Sequence, residues 1–407
     1  MPGPQSTIDL VKQMTDDLKD TYETQAELVL AEMSTARSHV GDFQEWECTA
    51  ILCTTFGYYS ETPPSTFDKV LHWPNLTGRP HSRQGEARDE LQTAEDEYNT
   101  TDEKQLSQQD KLANIPTDVG DFVTDWFDVD SEFAKVYYPA STSEIPASGG
   151  AWASQSAGMY GGSLSTQRTA ADLAKDTVAG LVTNTTSYLS DVTNSVAALA
   201  DLALAQEKIY VDTIKAAIQD YTSIGGFIGA IKDLITVIQD LRQLYFDEVQ
   251  EQGRQLAGAV DSVIQVGILQ NDLVGIGKNG KWPSATNAEE SLNNPNSVAS
   301  GDIRSDAEWF KAHIKYWDDI EKEMSALKTK AAGTSRLPVI MIDMPQFSAA
   351  QSTSLNGLAD DLQTAIHEGC VAAGEMSEAL TDTIREYIDN ESASAAEAEA
   401  LFKEFFE

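Results

Sequence analysis

Trp152-Ala153-Ser154-Gln155-Ser156-Ala157-Gly158-Met159-Tyr160 opens the stretch that decides the fold. This tight turn of small residues leads into a run with almost no break signal as far as Tyr221. Inside the run, Val178, Val182, Leu189, Val192, Val196, Leu199, Ala203 and Tyr210 fall on one stripe of an α-helix, because steps of three and four return a side chain to the same face. A glycine-rich apolar patch follows, Ile224-Gly225-Gly226-Phe227-Ile228-Gly229, and then a second stripe of Phe227, Ile231, Leu234, Ile238, Leu241 and Tyr245. That stripe resumes weakly through Leu256, Val260 and Val263. Two matching seams with a glycine break between them predict a long antiparallel, coiled-coil-like helical hairpin. At the rise of an α-helix, its first arm would be roughly 80 Å long, which suits a rod better than a catalytic globule.

Working outward, Ser6 or Thr7 is an N-cap for a helix over about 8–36, with Leu10, Met14, Leu18 and Tyr22 at four-residue spacing. Residues 41–80 are aromatic and broken by Pro63-Pro64, Trp73-Pro74 and Arg79-Pro80, which predicts a packed connector with a short helix near 45–56. A polar helix over 82–113 should stop before Pro116, and another should carry Phe122, Trp126, Phe133 and Tyr137. Beyond the hairpin, Trp309, His313, Ile314, Trp317, Ile320 and Met324 share one helical face. Leu337-Pro338-Val339-Ile340-Met341-Ile342 is the one candidate extended segment, and a helical region follows from Phe347 to Phe406. No β-alternation of any length appears. The expected fold is all-α, with elongated antiparallel packing in three regions: 1–115, 116–280 and 281–407.

With 407 residues and 41 % hydrophobic content the chain can build a sizeable core, but its net charge of −37 shapes what it meets. Such a surface repels phosphates and anionic lipid head groups, which argues against nucleic acid as a partner. Cys48, Cys53 and Cys370 make no disulfide framework. Met1-Pro2-Gly3-Pro4-Gln5 has neither a basic n-region nor an apolar h-region, so no cleavable secretory leader is expected. No window of about 18 apolar uncharged residues is present for an ordinary transmembrane helix.

Chemistry-bearing patterns are sparse. Neither a phosphate-binding G-x-x-x-x-G-K-[ST] loop nor a G-x-S-x-G elbow occurs. His39, His72, His81, His313 and His367 are scattered, with no i, i+4 pair to seat a metal. His72 and His81 share a proline-rich loop; His313 on an aromatic face reads as a packed core residue. Asp118, Asp121, Asp125, Asp128 and Asp130 lack the glycine and bidentate Glu of a calcium loop and read as a solvated helix face. No catalytic residue, metal or cofactor is expected. Two instances of an aromatic followed four residues later by an acid remain: Tyr98 with Asp102, and Tyr387 with Glu391.

Trp152-x-Ser154 followed by Ser156-Ala157-x-x-Tyr160 resembles the Trp-x-Gly hairpin turn of ESX-type substrates of actinobacterial type VII secretion, with Ser154 where glycine is usual. The Tyr98/Asp102 and Tyr387/Glu391 pairs resemble the Tyr-x-x-x-Asp/Glu export signal of that superfamily. Trp46-Glu47-Cys48 resembles a divergent turn of a first hairpin, and the long hairpin is similar to the larger secretion-associated Esp proteins. The resemblance implies export without a leader to the cell surface or medium, a secretion ATPase or chaperone as partner, and a non-enzymatic role through protein–protein assembly.

Two other expectations compete with it. Apolar residues outside one hairpin seam, Ile228, Ile235, Leu244 and Phe246, would suit a self-assembling structural protein, cytoplasmic or otherwise. The window around Ile224, Phe227 and Ile228, uncharged and bordered by glycines, would suit the membrane-contacting tip of an α-helical pore former. Packed instead as a buried bend, it should lie on the aromatic helix from Trp309 to Trp317.

Overall fold

The computed structural model describes residues 4–48, 59–60, 76–146, 155–221, 223–258, 260–274, 276, 282–283, 307–337, 345–391 and 403. Seven α-helices lie among them: α1 (Pro4–Val40), α2 (Gln84–Phe133), α3 (Gln155–Asp220), α4 (Ile224–Gly258), α5 (Val260–Val274), α6 (Ala307–Ala332) and α7 (Pro345–Glu391). The fold is all-α, with the helices packed as bundles.

Helix α3 is the spine. Its 66 residues give a contour of about 100 Å. It is longer than the sequence predicts because the small-residue segment holding Ala157 and Tyr160 is helical rather than a turn. Tyr160 and Leu164 are both buried, so packing carries the helix through residues of low helix propensity. Only Tyr221 to Ser223 separate α3 from α4, and Ile224 already belongs to α4.

Helices α1 and α2 pack on this hairpin and on each other, and α4 lies against both α2 and α3. On α1 the buried residues Tyr22, Ala26, Val29, Met33, Ala36 and Val40 keep heptad spacing. Ala87, Leu91, Ala94 and Tyr98 do the same on α2. The other end of the molecule is built by the N-terminal part of α3, the C-terminal half of α2, and helices α5, α6 and α7. Gly369 sets the approach there: a Cβ at that position would come within 3.0 Å of the Trp282 ring and 2.8 Å of Met324 Cε.

Three local expectations are corrected. Helix α2 does not stop before Pro116; it runs through it, and through the expected boundary at 115/116. Losing one helical hydrogen bond and straining a turn costs about 3 kcal/mol. Burial of Ile115, Val119, Phe122 and Trp126 on either side of Pro116 offsets that cost. The connector also contains strands: β1 (Gln44–Cys48) lies between β2 (Tyr59–Ser60) and β3 (Leu76–Pro80). β1 and β3 are antiparallel in the register Gln44 to Pro80 through Cys48 to Leu76. Trp46-Glu47-Cys48 is therefore strand rather than a helical hairpin turn. Its pairing partner lies about thirty residues away along the chain, beyond the reach of any local pattern. The run from Pro338 to Ile342 lies outside the described residues. The acidic face of α2 is not all solvated either: Asp125 Oδ2 accepts from Ser335 N at 2.8 Å and from its hydroxyl at 2.6 Å.

Candidate functional site

The buried side chains fall into two hydrophobic clusters, one at each end of the molecule. Where the clusters meet, heptad positions are filled by polar residues. Tyr22 of α1 donates to Gln105 Oε1 of α2 at 3.1 Å. Gln105 Nε2 donates to Gln206 Oε1 of α3 at 2.8 Å, and Gln206 Nε2 donates to the Leu241 carbonyl of α4 at 2.8 Å. One hydrogen-bonded chain thus crosses all four helices. Beside it, Tyr98 of α2 donates to Glu207 Oε2 of α3 at 2.7 Å, and the Tyr22 hydroxyl also lies 3.0 Å from Asp102 Oδ1, so Asp102 and Gln105 share its one proton.

This layer is deeply buried. Tyr98, Gln105 and Glu207 are each 0 % exposed. Burial pushes the Glu207 carboxyl up to about 7, with the Asp102 charge adding to the rise and the Tyr98 and Tyr22 hydroxyls opposing it. The Asp102 carboxyl is raised too, first by burial. Buried polar side chains that are satisfied in one alignment lose those partners when α1 or α2 slips along the hairpin, which costs free energy.

The expected site residues can now be placed. Tyr98 and Asp102 do not stand at a helix end; they lie in the body of α2, within this layer. Tyr387 and Glu391 lie one turn apart on α7, which is described as far as Glu391. Trp152 and Ser154 fall outside the described residues. Ala157 packs on the larger cluster, and Tyr160 lies inside it. Trp317 Nε1 donates to the Tyr160 oxygen at 2.9 Å, and Tyr160 lies 2.9 Å from His313 Nδ1, with the His313 ring stacked on Trp309 at 3.6 Å. Burial pushes the His313 imidazole down to about 4, so it is neutral near neutral pH. His313 is the packed core residue that its aromatic face suggested.

The glycine-flanked patch is buried. Ile224 and Phe227 are 0 % exposed and Ile228 is 3 % exposed. The cover is not the Trp309–Trp317 helix, which belongs to the other cluster; it is the end of α1, the start of α2, and Phe43. The Phe227 ring lies 5.5 Å from Phe43 and 5.8 Å from His39, centre to centre. Lys232 pairs with Glu90 of α2 at 3.2 Å, tying the same corner from outside. Among the described residues no helix is long and apolar enough to cross a membrane. Of the four residues outside the seam, Ile228 is buried, Ile235 and Phe246 pack on the clusters, and Leu244 is half exposed.

His72 lies outside the described residues, and His81 Nδ1 accepts the Arg83 backbone N–H at 3.1 Å as α2 begins. Among the described residues no group of three or more His, Cys, Asp or Glu is placed to hold a metal ion.

Sequence reading missed Gln105, Gln206 and Glu207. Their signal was present: the seam steps seven residues from Ala203 to Tyr210, and the intervening heptad position is Gln206, with Glu207 beside it.

The class that this geometry defines is an all-α bundle with a buried polar layer. No protein-family model matches the chain, and no curated protein or solved structure matches it.

Proposed function

We propose that the chain is a non-enzymatic helical protein exported by an ESX-type apparatus, and that it acts outside the cytoplasm or at the cell surface through protein–protein assembly. Tyr387 and Glu391 are its export signal, read by a secretion ATPase or chaperone. The observation that carries this choice is the burial of the competing pair: Tyr98 is engaged by Glu207 and Asp102 by Tyr22, inside the folded bundle. Tyr387 and Glu391 are one helical turn apart on α7.

The test is export from an actinobacterial host that carries such an apparatus. Tyr387→Ala should lose most of the protein from the culture filtrate while its cytoplasmic level persists. Tyr98→Phe should be exported, although less stable. Undiminished export of Tyr387→Ala would remove the assignment.

A further inference from the structure

Glu207 is a carboxyl group at the centre of a four-helix layer, and among the described residues no cation is paired with it. The groups that act on it are Tyr22 from α1, Tyr98 and Asp102 from α2, and Tyr210 from its own helix α3. Around these lie Glu23 and Glu103 beside Asp102, Tyr245 of α4 beside Tyr22, and Arg242 of α4 beside Tyr210. Arg242 is the one cation in that set, and it is paired with Glu97 at 3.0 Å.

Tyr98 has one hydroxyl proton, and Glu207 Oε2 takes it at 2.7 Å. Tyr22 also has one, and it faces both Asp102 Oδ1 and Gln105 Oε1. Glu207 Oε1 is buried with no partner at hydrogen-bonding distance, although the Tyr22 hydroxyl lies near enough to oppose the rise of the carboxyl. An ionised carboxylate here would hold a desolvated charge close to a second acidic group, which proteins avoid by neutralising the acid.

We propose that Glu207 is a proton-binding site that couples the docking of the α1–α2 pair onto the α3–α4 hairpin to pH. With the proton bound, the polar layer closes across all four helices. When the proton leaves, the charge favours a looser layer in which water reaches it. The raised value of Glu207 agrees with this geometry, and burial is its main cause. For an acid raised in the folded state, stability is complete below the ordinary value of 4.5 and is lost as pH rises through about 7. The window therefore runs from mildly acidic to neutral pH. His313, at the other end of the molecule, has the opposite sign, because its value is lowered and its stability is lost on acidification.

The experiment compares urea unfolding of the full chain with that of Glu207→Gln between pH 4.5 and 8. Taking the difference between the two proteins cancels His313 and the surface carboxylates. The wild-type unfolding constant should rise roughly 100-fold more than that of the variant across this range. Parallel pH profiles would overturn the proposal. If Glu207→Gln does not fold, the infrared spectrum of the wild type decides. A protonated-carboxyl band at pH 6 that vanishes by pH 9 supports the site, and absence of the band at pH 6 removes it. Sodium, potassium, magnesium and calcium chlorides are added separately at pH 8. Stabilisation of the wild type alone by one of these cations would mean that Glu207 holds a metal ion in place of a proton, which also overturns the proposal.

Discussion

Phe227→Asp should destabilise the protein by about 5 kcal/mol or more, a large share of the total stability of an ordinary domain. Phe227 is 0 % exposed, and its ring meets His39 and Phe43 in the cluster that closes the α3–α4 end of the molecule. The substitution removes a buried aromatic ring and leaves a cavity, worth about 3–5 kcal/mol in comparable sites. It also puts a carboxylate among Ile224, Ile231 and Val40, where solvation is poor. Phe227→Leu, which keeps most of the volume, should cost far less. Thermal unfolding followed by circular dichroism reads both. If Phe227 were instead an exposed membrane-contacting tip, the Asp variant would melt like the wild type and only its action on liposomes would change. An unaltered melting curve would therefore contradict the packing described here.

Trp317→Ala is expected to cost about 3–5 kcal/mol at the opposite end. Trp317 is fully buried, with its ring 6.1 Å from that of Tyr138, and its indole N–H donates to Tyr160. Truncation opens a cavity between α3 and α6 and takes away one partner of the Tyr160 oxygen, which lies 2.9 Å from His313 Nδ1. Trp317→Phe refills most of the volume without restoring the donor. The loss from wild type to Trp317→Phe carries the hydrogen bond, about 1 kcal/mol for a neutral pair, and the difference between the two variants carries the volume of the ring. Equal stabilities for wild type and Trp317→Ala would show that α6 does not pack on α3 in this way.

Most of the hairpin was legible in the sequence, because a helix in a bundle repeats its apolar positions locally. Val178, Leu189, Val192, Val196, Leu199, Ala203 and Tyr210 are all buried, as are Phe227, Ile231, Leu234, Ile238 and Tyr245. What stayed hidden depends on partners far along the chain. Pro116 is a local stop signal that α2 overrides through tertiary burial of its flanking residues. Gln44–Cys48 becomes a strand only because Leu76–Pro80 comes back beside it. Tyr98 and Asp102 matched a short motif, and nothing local reveals that the Tyr98 partner is a carboxyl 109 residues away. A polar residue at a seam position looks like a defect in one helix; its meaning appears only when the opposite helices supply Tyr22, Gln105 and Gln206.

The central claim is that Tyr98 and Glu207 bond to each other inside a closed four-helix layer. A double-mutant cycle with Tyr98→Phe, Glu207→Met and the pair together, read by urea unfolding at pH 6, tests it directly. Each single change orphans a buried partner, whereas the double change removes both. The double variant should be more stable than the sum of the two losses predicts, by at least about 1 kcal/mol. Two nearly silent single variants that add within about 0.5 kcal/mol would mean that Tyr98 and Glu207 do not meet in the folded protein.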